Sequence, residues 1–471
     1  MSSSQDKRDP IEIWADEIES LRYESLPRDV VEVTKKSILD TLGVCIAAST
    51  AVPACRQVAE MVKEMDGKQE CSLLAFGGKA PAAMAALANG ALGHALDYDD
   101  GHYGAYMRVG GNVVPAALAM AQRKGSVGGK ELIAAVTLGQ EIMIGTSLAI
   151  TRGPRGWKND WYMGSVTGGF GATAAACRIL AHDREKAADA LGIAAFRAGG
   201  TMEVAFGTGS DLRGIYMGFT SMTGVLAALM AGRGITGVRS GLEGKAGILS
   251  TYFQGLYDRD TLVRGKNAKF VSLGMDFKPW PACGWVHTYI DATVDIVNTH
   301  DIAPQDIDRI TVYVGDSCRN LCYPLEMRRF PKSTLDAKFS IPFCVAAAAI
   351  RRKLVIGDVT PHGITDKAVL AMADKVFPEF DASLEAASGD GMSPGIVEIR
   401  TKAGAVHTRR RDIPLGDYRN PIGMADVVAK FRDCVRHSAM PLDPAKVDRV
   451  IEMVAHLEDV EDSGQIAELL S

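Results

Sequence analysis

Residues 93–102 read GHALDYDDGH, which gathers three carboxylates and two imidazoles into ten positions: His94, Asp97, Asp99, Asp100 and His102. Two kinds of chemistry use such a set. Oxygen donors can hold a hard cation. Alternatively, crowded like charges raise the pKa of one carboxyl and make it a general acid or base. No second donor group with the spacing of a metal cage occurs elsewhere in the chain, which favours acid–base work. The plain alternative is a solvated helix end. Acidic side chains at a helix C-terminus oppose the helix dipole, however, at roughly a few tenths of a kcal/mol. The placement works against local stability and so points to use.

Other chemistries lack their signatures. The chain has no G-x-x-x-x-G-K-[ST], no G-x-G-x-x-G after a strand, no G-x-S-x-G and no H-E-x-x-H. The Gly-rich "GGFGA" (168–172) sits in a helical context and reads as a packing site rather than a phosphate cradle.

The elements that position the cluster come from periodicity. Ile11, Trp14, Ala15, Ile18 and Leu21 recur at helical spacing, and residues 30–49 continue in the same style. Residues 79–96, 165–181, 185–198 and 220–233 read as helices rich in small residues, able to approach backbone to backbone. The character changes near residue 265. "KPWPACGW" is a Pro- and aromatic-rich loop, "DIDRITVYVGD" alternates like a strand, and "GIVEIRTKAGAVHTRRRDIP" reads as a hairpin turning at Lys402–Gly404. Helices are expected around 334–352 and 366–376, and again over 422–471, where the tail packs back on the first domain.

A chain of 471 residues is too long for one ordinary core. With 52 basic and 57 acidic residues, net charge −5, nothing favours nucleic acid or an anionic membrane as partner. No apolar run approaches the ~20 residues that cross a bilayer. The N-terminal stretch is polar and then acidic, without the apolar region of a signal peptide. The nine cysteines are scattered singly, as expected of reduced thiols. The expected location is the cytoplasm.

At "LANGALGHALDYDDGHYGAYM…VVPAALAMAQRKG" the sequence resembles the MmgE/PrpD family, whose segment reads approximately N-G-x-x-x-H-x-L-D-[FY]-D-D-T-H, then H-P-S, then V-x-P-A-x-L-A. Five further blocks follow in order: residues 129–142, 171–180, 224–249, 278–292 and 336–349. The resemblance implies a mainly α fold, with a large all-helical domain (1–267 and 406–471) and a smaller α+β lid domain (268–405). It also implies a homodimer and an active site between the two domains. The family includes 2-methylcitrate dehydratase, cis-aconitate decarboxylase and iminodisuccinate epimerase. Its members move protons on small di- and tricarboxylates and need no metal, flavin or nicotinamide cofactor.

Carried over by motif, the resemblance makes Asp97 an active-site residue and aligns Asp99, Asp100 and His102 with the positions that follow. Lys278 matches a lysine that faces the substrate in decarboxylating members. Lys338, in "DAKFS", matches another recurrent lysine, with a helix-start salt bridge as its plainer reading. The departures are three. Arg108 stands at the H-P-S histidine, Tyr162 at the histidine before the "GATAAA" helix, and Arg213 and Tyr216 at the lysine and histidine of K-R-L-H-A-G. Arginine cannot release a proton but grips carboxylates bidentately. Tyrosine becomes a base only if a nearby cation lowers its pKa of about 10.

The expected catalytic set is therefore Asp97, His102, Lys278, Tyr216 and Tyr162. Arg108, Arg213, Asp99, Asp100 and His287 are expected to bind the substrate. The expected activity is a cofactor-independent lyase, dehydratase- or decarboxylase-like, acting by alpha-proton chemistry. An epimerase or isomerase of a small dicarboxylate is the alternative, and a catalytically silent carboxylate-binding paralogue is the second.

Overall fold

The computed structural model describes residues 7–153, 160–206, 210–263, 269–386 and 392–471. The first six residues of the polar N-terminal stretch, and residue 268 at the expected start of the lid, lie outside these. The chain divides into two compact units, Met1–Met275 with Val427–Ser471, and Asp276–Asp426. The fold is mainly α, with a smaller α+β part.

The first unit is built from helices Arg28–Ala51, Ala82–Leu92, Gly110–Lys124, Gly129–Thr151, Met163–Leu180, Arg184–Arg197 and Leu212–Gly232. Glycine sets how closely they cross. A Cβ on Gly139 or on Gly171 would fall 2.6 Å from the other's carbonyl oxygen, so only hydrogen fits at that crossing. The C-terminal tail returns to this unit, where the Val460 carbonyl accepts from Gly129 N–H at 2.7 Å and the Val127 carbonyl from Ser463 N–H at 2.8 Å. The unit is not purely helical. Two ribbons of two-residue strands interrupt it, Cys71–Ser72 with Lys79–Ala80 and Gly101–His102 with Met107–Arg108. Such strands are too short for alternation to reveal them.

Two helices also overturn the expectation that no segment is long and apolar enough to cross a bilayer. Gly129–Thr151 and Leu212–Gly232 both are, by length and composition. Interspersed Thr, Ser, Gln and Gly, with Glu141 as the one charge after the first turn, break the apolar run in Gly129–Thr151. Its apolar stretch is wholly buried inside the protein, whereas that of Leu212–Gly232 is about half buried, at 56%. A helix apolar on every side belongs in a core or a membrane, and the first is surrounded by protein.

The second unit carries a four-stranded sheet in the order Val376–Phe380, Ile307–Val314, Gly395–Thr401, Val406–Arg411. The first pair is parallel and the others antiparallel. Alternation along Ile307–Val314 puts Ile310, Val312 and Val314 into a core shared with helices His287–Thr299 and Ile341–Arg351. The hairpin turns at Lys402–Gly404, as its sequence implies, with Gly404 at φ +89°. A boundary at residue 405 would cut this hairpin, because its second strand belongs to the same sheet. The helix expected over 334–352 is two, Thr334–Lys338 and Ile341–Arg351. Ser340 starts the second by accepting the Phe343 N–H at 3.1 Å. All nine cysteines are buried and none is in a disulfide, Cys45, Cys55, Cys71, Cys177 and Cys434 lying in the first unit and Cys283, Cys318, Cys322 and Cys344 in the second.

Candidate active site

The cluster begins where helix Ala82–Leu92 stops. Asp97 N–H donates to the His94 carbonyl at 2.9 Å, and Asp97 takes a left-handed φ of +53°. Among non-glycine residues Asp and Asn tolerate that conformation best, and it recurs at functional sites. A second left-handed residue, Tyr106 at φ +50°, closes the turn between the strands of the ribbon. That ribbon sets Gly101 opposite Arg108 and returns the guanidinium to the cluster. Arg108 Nη2 lies 3.8 Å from an Asp97 oxygen. The guanidinium carbon is 5.7 Å from the centre of the Tyr103 ring.

His94 and Asp99 form a buried pair. The imidazole Nδ1 lies 3.0 and 3.1 Å from the two Asp99 oxygens. With the carboxylate accepting, the proton sits on Nδ1 and the lone pair on Nε2. His94 stands outside the residues the sequence assigns to the site. Its signals there are its place in the decapeptide and at the histidine of N-G-x-x-x-H-x-L-D.

Two tyrosines complete this side. Tyr162 precedes helix Met163–Leu180, and Tyr216 lies one turn into helix Leu212–Gly232, the rings 5.0 Å apart and edge to face. Tyr216 also meets the His94 ring edge to face at 5.7 Å. Its hydroxyl reaches so close to Gly164 that any side chain there would collide with it. Burial pushes the Tyr162 phenol up to about 12, although the Arg213 charge pulls it down. Burial raises Tyr216 well above its ordinary value, with the neighbouring Tyr162 and Asp99 adding to the rise. Both phenols therefore keep their protons at neutral pH and act as donors. The tyrosinate base that the sequence leaves open is not what this environment favours.

Asp100 faces the core instead. One of its oxygens accepts the Gly110 N–H at 2.7 Å, at the start of helix Gly110–Lys124, and the other accepts the Ser37 hydroxyl. Burial, and then the Asp40 charge, push its carboxyl up to about 7. Asp40 is itself buried and sits 2.7 Å from Lys430 Nζ. Lys430 also donates to the Tyr98 carbonyl at 2.6 Å and lies 3.8 Å over the Tyr98 ring. This network anchors the backbone of residues 98–100 from beneath. Asp100 thus serves structure here, not the substrate-binding role that its place in the motif implies.

His102 is likewise bound to backbone. Its Nδ1 accepts the Ala105 N–H at 3.1 Å, and the ring also makes a backbone hydrogen bond with Val271. Burial, reinforced by the Arg152 charge, pushes it down to about 4, so it is neutral at physiological pH. The segment it touches is also held by Glu141, which accepts the N–H groups of Val271 and Ser272 at 3.0 and 2.7 Å. His102 is a brace for residues 271–274, against the expectation that it is catalytic.

In the second unit Lys278 is buried. His287 opens helix His287–Thr299, with Nε2 3.2 Å from the Ala282 carbonyl and its ring 5.4 Å from Trp280. The loop between them is tied down by Cys283 N–H, which donates to the Lys338 carbonyl at 3.0 Å.

Among the described residues, His94, Asp97 and Asp99 are the group with metal-site spacing, one donor atom of each lying within 4.8 Å of the others. The Nδ1 atom is taken up by Asp99, and Arg108 already brings positive charge to Asp97. The set reads as hydrogen-bonded and ion-paired. Six side chains from four segments thus meet in one unit: an imidazole, two carboxylates, a guanidinium and two phenols. Arg213 is close enough to act on Tyr162.

Comparison with known proteins agrees along the chain. The MmgE/PrpD N-terminal domain model matches residues 12–259, and the MmgE/PrpD C-terminal domain model matches residues 280–459. The chain is 26% identical over 472 residues to cis-aconitate decarboxylase of Homo sapiens, covering 98% of this chain and 94% of that protein. For the Mus musculus protein of the same name identity is 24% over 472 residues, covering 98% and 93%. For cis-aconitate decarboxylase-like protein oryM of Aspergillus oryzae it is 22% over 387 residues, covering 76% and 77%.

Proposed function

The chain belongs to the MmgE/PrpD family, and from that premise we propose that it is a lyase acting on a small di- or tricarboxylate by proton transfer at the carbon alpha to a carboxylate. Decarboxylation is the first choice, because the relatives are named for it. The observation that carries the reading is the Arg108 guanidinium, 3.8 Å from buried Asp97 and beside the His94–Asp99 pair. A guanidinium grips a carboxylate through paired hydrogen bonds and keeps its charge at any working pH. In this partly dehydrated setting it stabilises negative charge that builds on the substrate carboxylate as the alpha carbon becomes electron-rich. The protonated phenols of Tyr162 and Tyr216 donate to the substrate's oxygens.

The experiment is proton exchange in deuterium oxide, followed by NMR across a panel of small di- and tricarboxylates that includes cis-aconitate. Product with loss of carbon dioxide, or new olefinic signals, supports the lyase. Alpha-proton exchange without net product replaces it with the epimerase reading. Inertness toward the whole panel sinks the enzyme and leaves a carboxylate-binding paralogue.

We also propose a homodimer. Helix Leu212–Gly232 leaves Leu212, Phe219, Leu226 and Met230 exposed at spacings of seven, seven and four, which align them on one face. A second copy of the chain is the occupant this apolar stripe fits best, as the family resemblance implies.

A further inference from the structure

We propose that His94, oriented by Asp99, carries the proton in this site, exchanging it through Nε2 with the carbon alpha to the bound carboxylate. The inference deepens the function proposed above and rests on it.

The geometry assigns the role. A general base must be near the substrate grip, hold a lone pair outward and be fixed in one tautomer. The Asp99 carboxylate lies within 3.1 Å of Nδ1 through both oxygens, which puts the imidazole hydrogen there and leaves Nε2 as the basic nitrogen. Among the described residues no hydrogen bond is made by Nε2. Tyr216 fixes the ring plane from the side. The other expected bases of this unit are otherwise occupied. His102 is bonded to the backbone of Ala105 and Val271. Asp100 faces Ser37 and the Gly110 amide. Tyr162 and Tyr216 hold their protons. Asp97 faces Arg108.

The step balances without a co-reactant. In exchange, Nε2 takes the alpha proton, the C–H pair moves into the carboxylate as an enediolate facing Arg108, and the proton returns from the imidazolium. In decarboxylation the C–CO2 bond breaks and carbon dioxide leaves. Nε2, having first taken a proton from water, gives it to the freed pair, which closes a new C–H bond and returns the imidazole to its starting form. Asp99 is the positioning residue in both.

The test uses the acid that the wild-type protein exchanges. His94→Gln is expected to lower exchange about 100-fold or more, with melting temperature and carboxylate affinity unchanged by calorimetry. Added imidazole is expected to restore part of the rate to His94→Ala. Asp99→Asn is expected to lower kcat with little change in KM. Wild-type rate in His94→Gln overturns the assignment. A second measurement needs no variant. The titratable and charged groups around the imidazole are Asp97, Asp99, Arg108, Tyr162 and Tyr216. The nitrogen-15 shifts of His94 must report the proton on Nδ1 and the lone pair on Nε2, and the opposite tautomer overturns the proposal. A wild type inert toward every acid defeats the function itself, and the His94 assignment with it. Full exchange in His94→Gln defeats only the assignment.

Discussion

Lys430 holds the only positive charge placed against Asp40, so the sharpest stability prediction concerns that pair among the described residues. Lys430→Met keeps the length of the side chain and removes the charge. At 2.7 Å and an effective dielectric constant near 20, the Coulomb attraction is about 6 kcal/mol. Dehydration of both ions offsets part of this, and the cost of breaking a buried pair from one side is about 3–5 kcal/mol. The Asp40 carboxylate then stands alone in a buried site close to Asp99 and Asp100. The double variant Asp40→Asn/Lys430→Met removes both charges and is expected to recover to within about 1–2 kcal/mol of wild type.

The pH dependence has a definite sign. Burial already raises the folded-state pKa of Asp40 despite Lys430, and removing the lysine raises it further. The folded variant then binds more protons than the unfolded chain above the ordinary carboxyl range. Its stability therefore falls as pH rises. Urea unfolding at pH 5 and pH 8 is the assay, and the penalty of Lys430→Met should be larger at pH 8. A penalty below about 1 kcal/mol at both pH values would refute the reasoning, as would additive single and double variants.

Three further outcomes follow from the same structure. Asp100, raised from 3.8 to about 7 in the folded state, should make wild-type stability fall relative to Asp100→Asn between pH 4 and 7, by at most about 1.4 kcal/mol per pH unit; parallel stability curves would exclude this. Lys278→Ala is expected to lower turnover at least about tenfold, and an unchanged rate in the same NMR assay removes Lys278 from the reaction. Leu226→Glu, on the exposed stripe of helix Leu212–Gly232, should shift the sedimentation coefficient from dimer to monomer; a monomeric wild type refutes the homodimer.

Much of the fold was legible because periodicity is a local signal. The helices around residues 165–181 and 185–198 lie at Met163–Leu180 and Arg184–Arg197. Strand Val376–Phe380 was not legible. Its five residues include Pro378 and the charged Glu379 and do not alternate cleanly, and it survives as an edge strand, where proline is tolerated. In the site, the decapeptide revealed a cluster but not the division of labour within it. That division depends on the left-handed turn at Asp97 and the ribbon that follows, which send neighbouring aspartates to opposite tasks. Sequence spacing does not encode such a turn when the residue is not glycine. The three replaced histidine positions were legible as a loss of proton carriers, while the value of His94 depended on the tautomer that Asp99 imposes.

The burial of every thiol gives the molecule a built-in clock. An alkylating reagent reacts with thiolate that reaches solvent, so labelling must wait for local or global opening. Five cysteines report on one unit and four on the other. Peptide-resolved alkylation over time therefore measures the opening rate of each unit within the intact chain. A bound acid that stiffens one unit will slow its own set of cysteines.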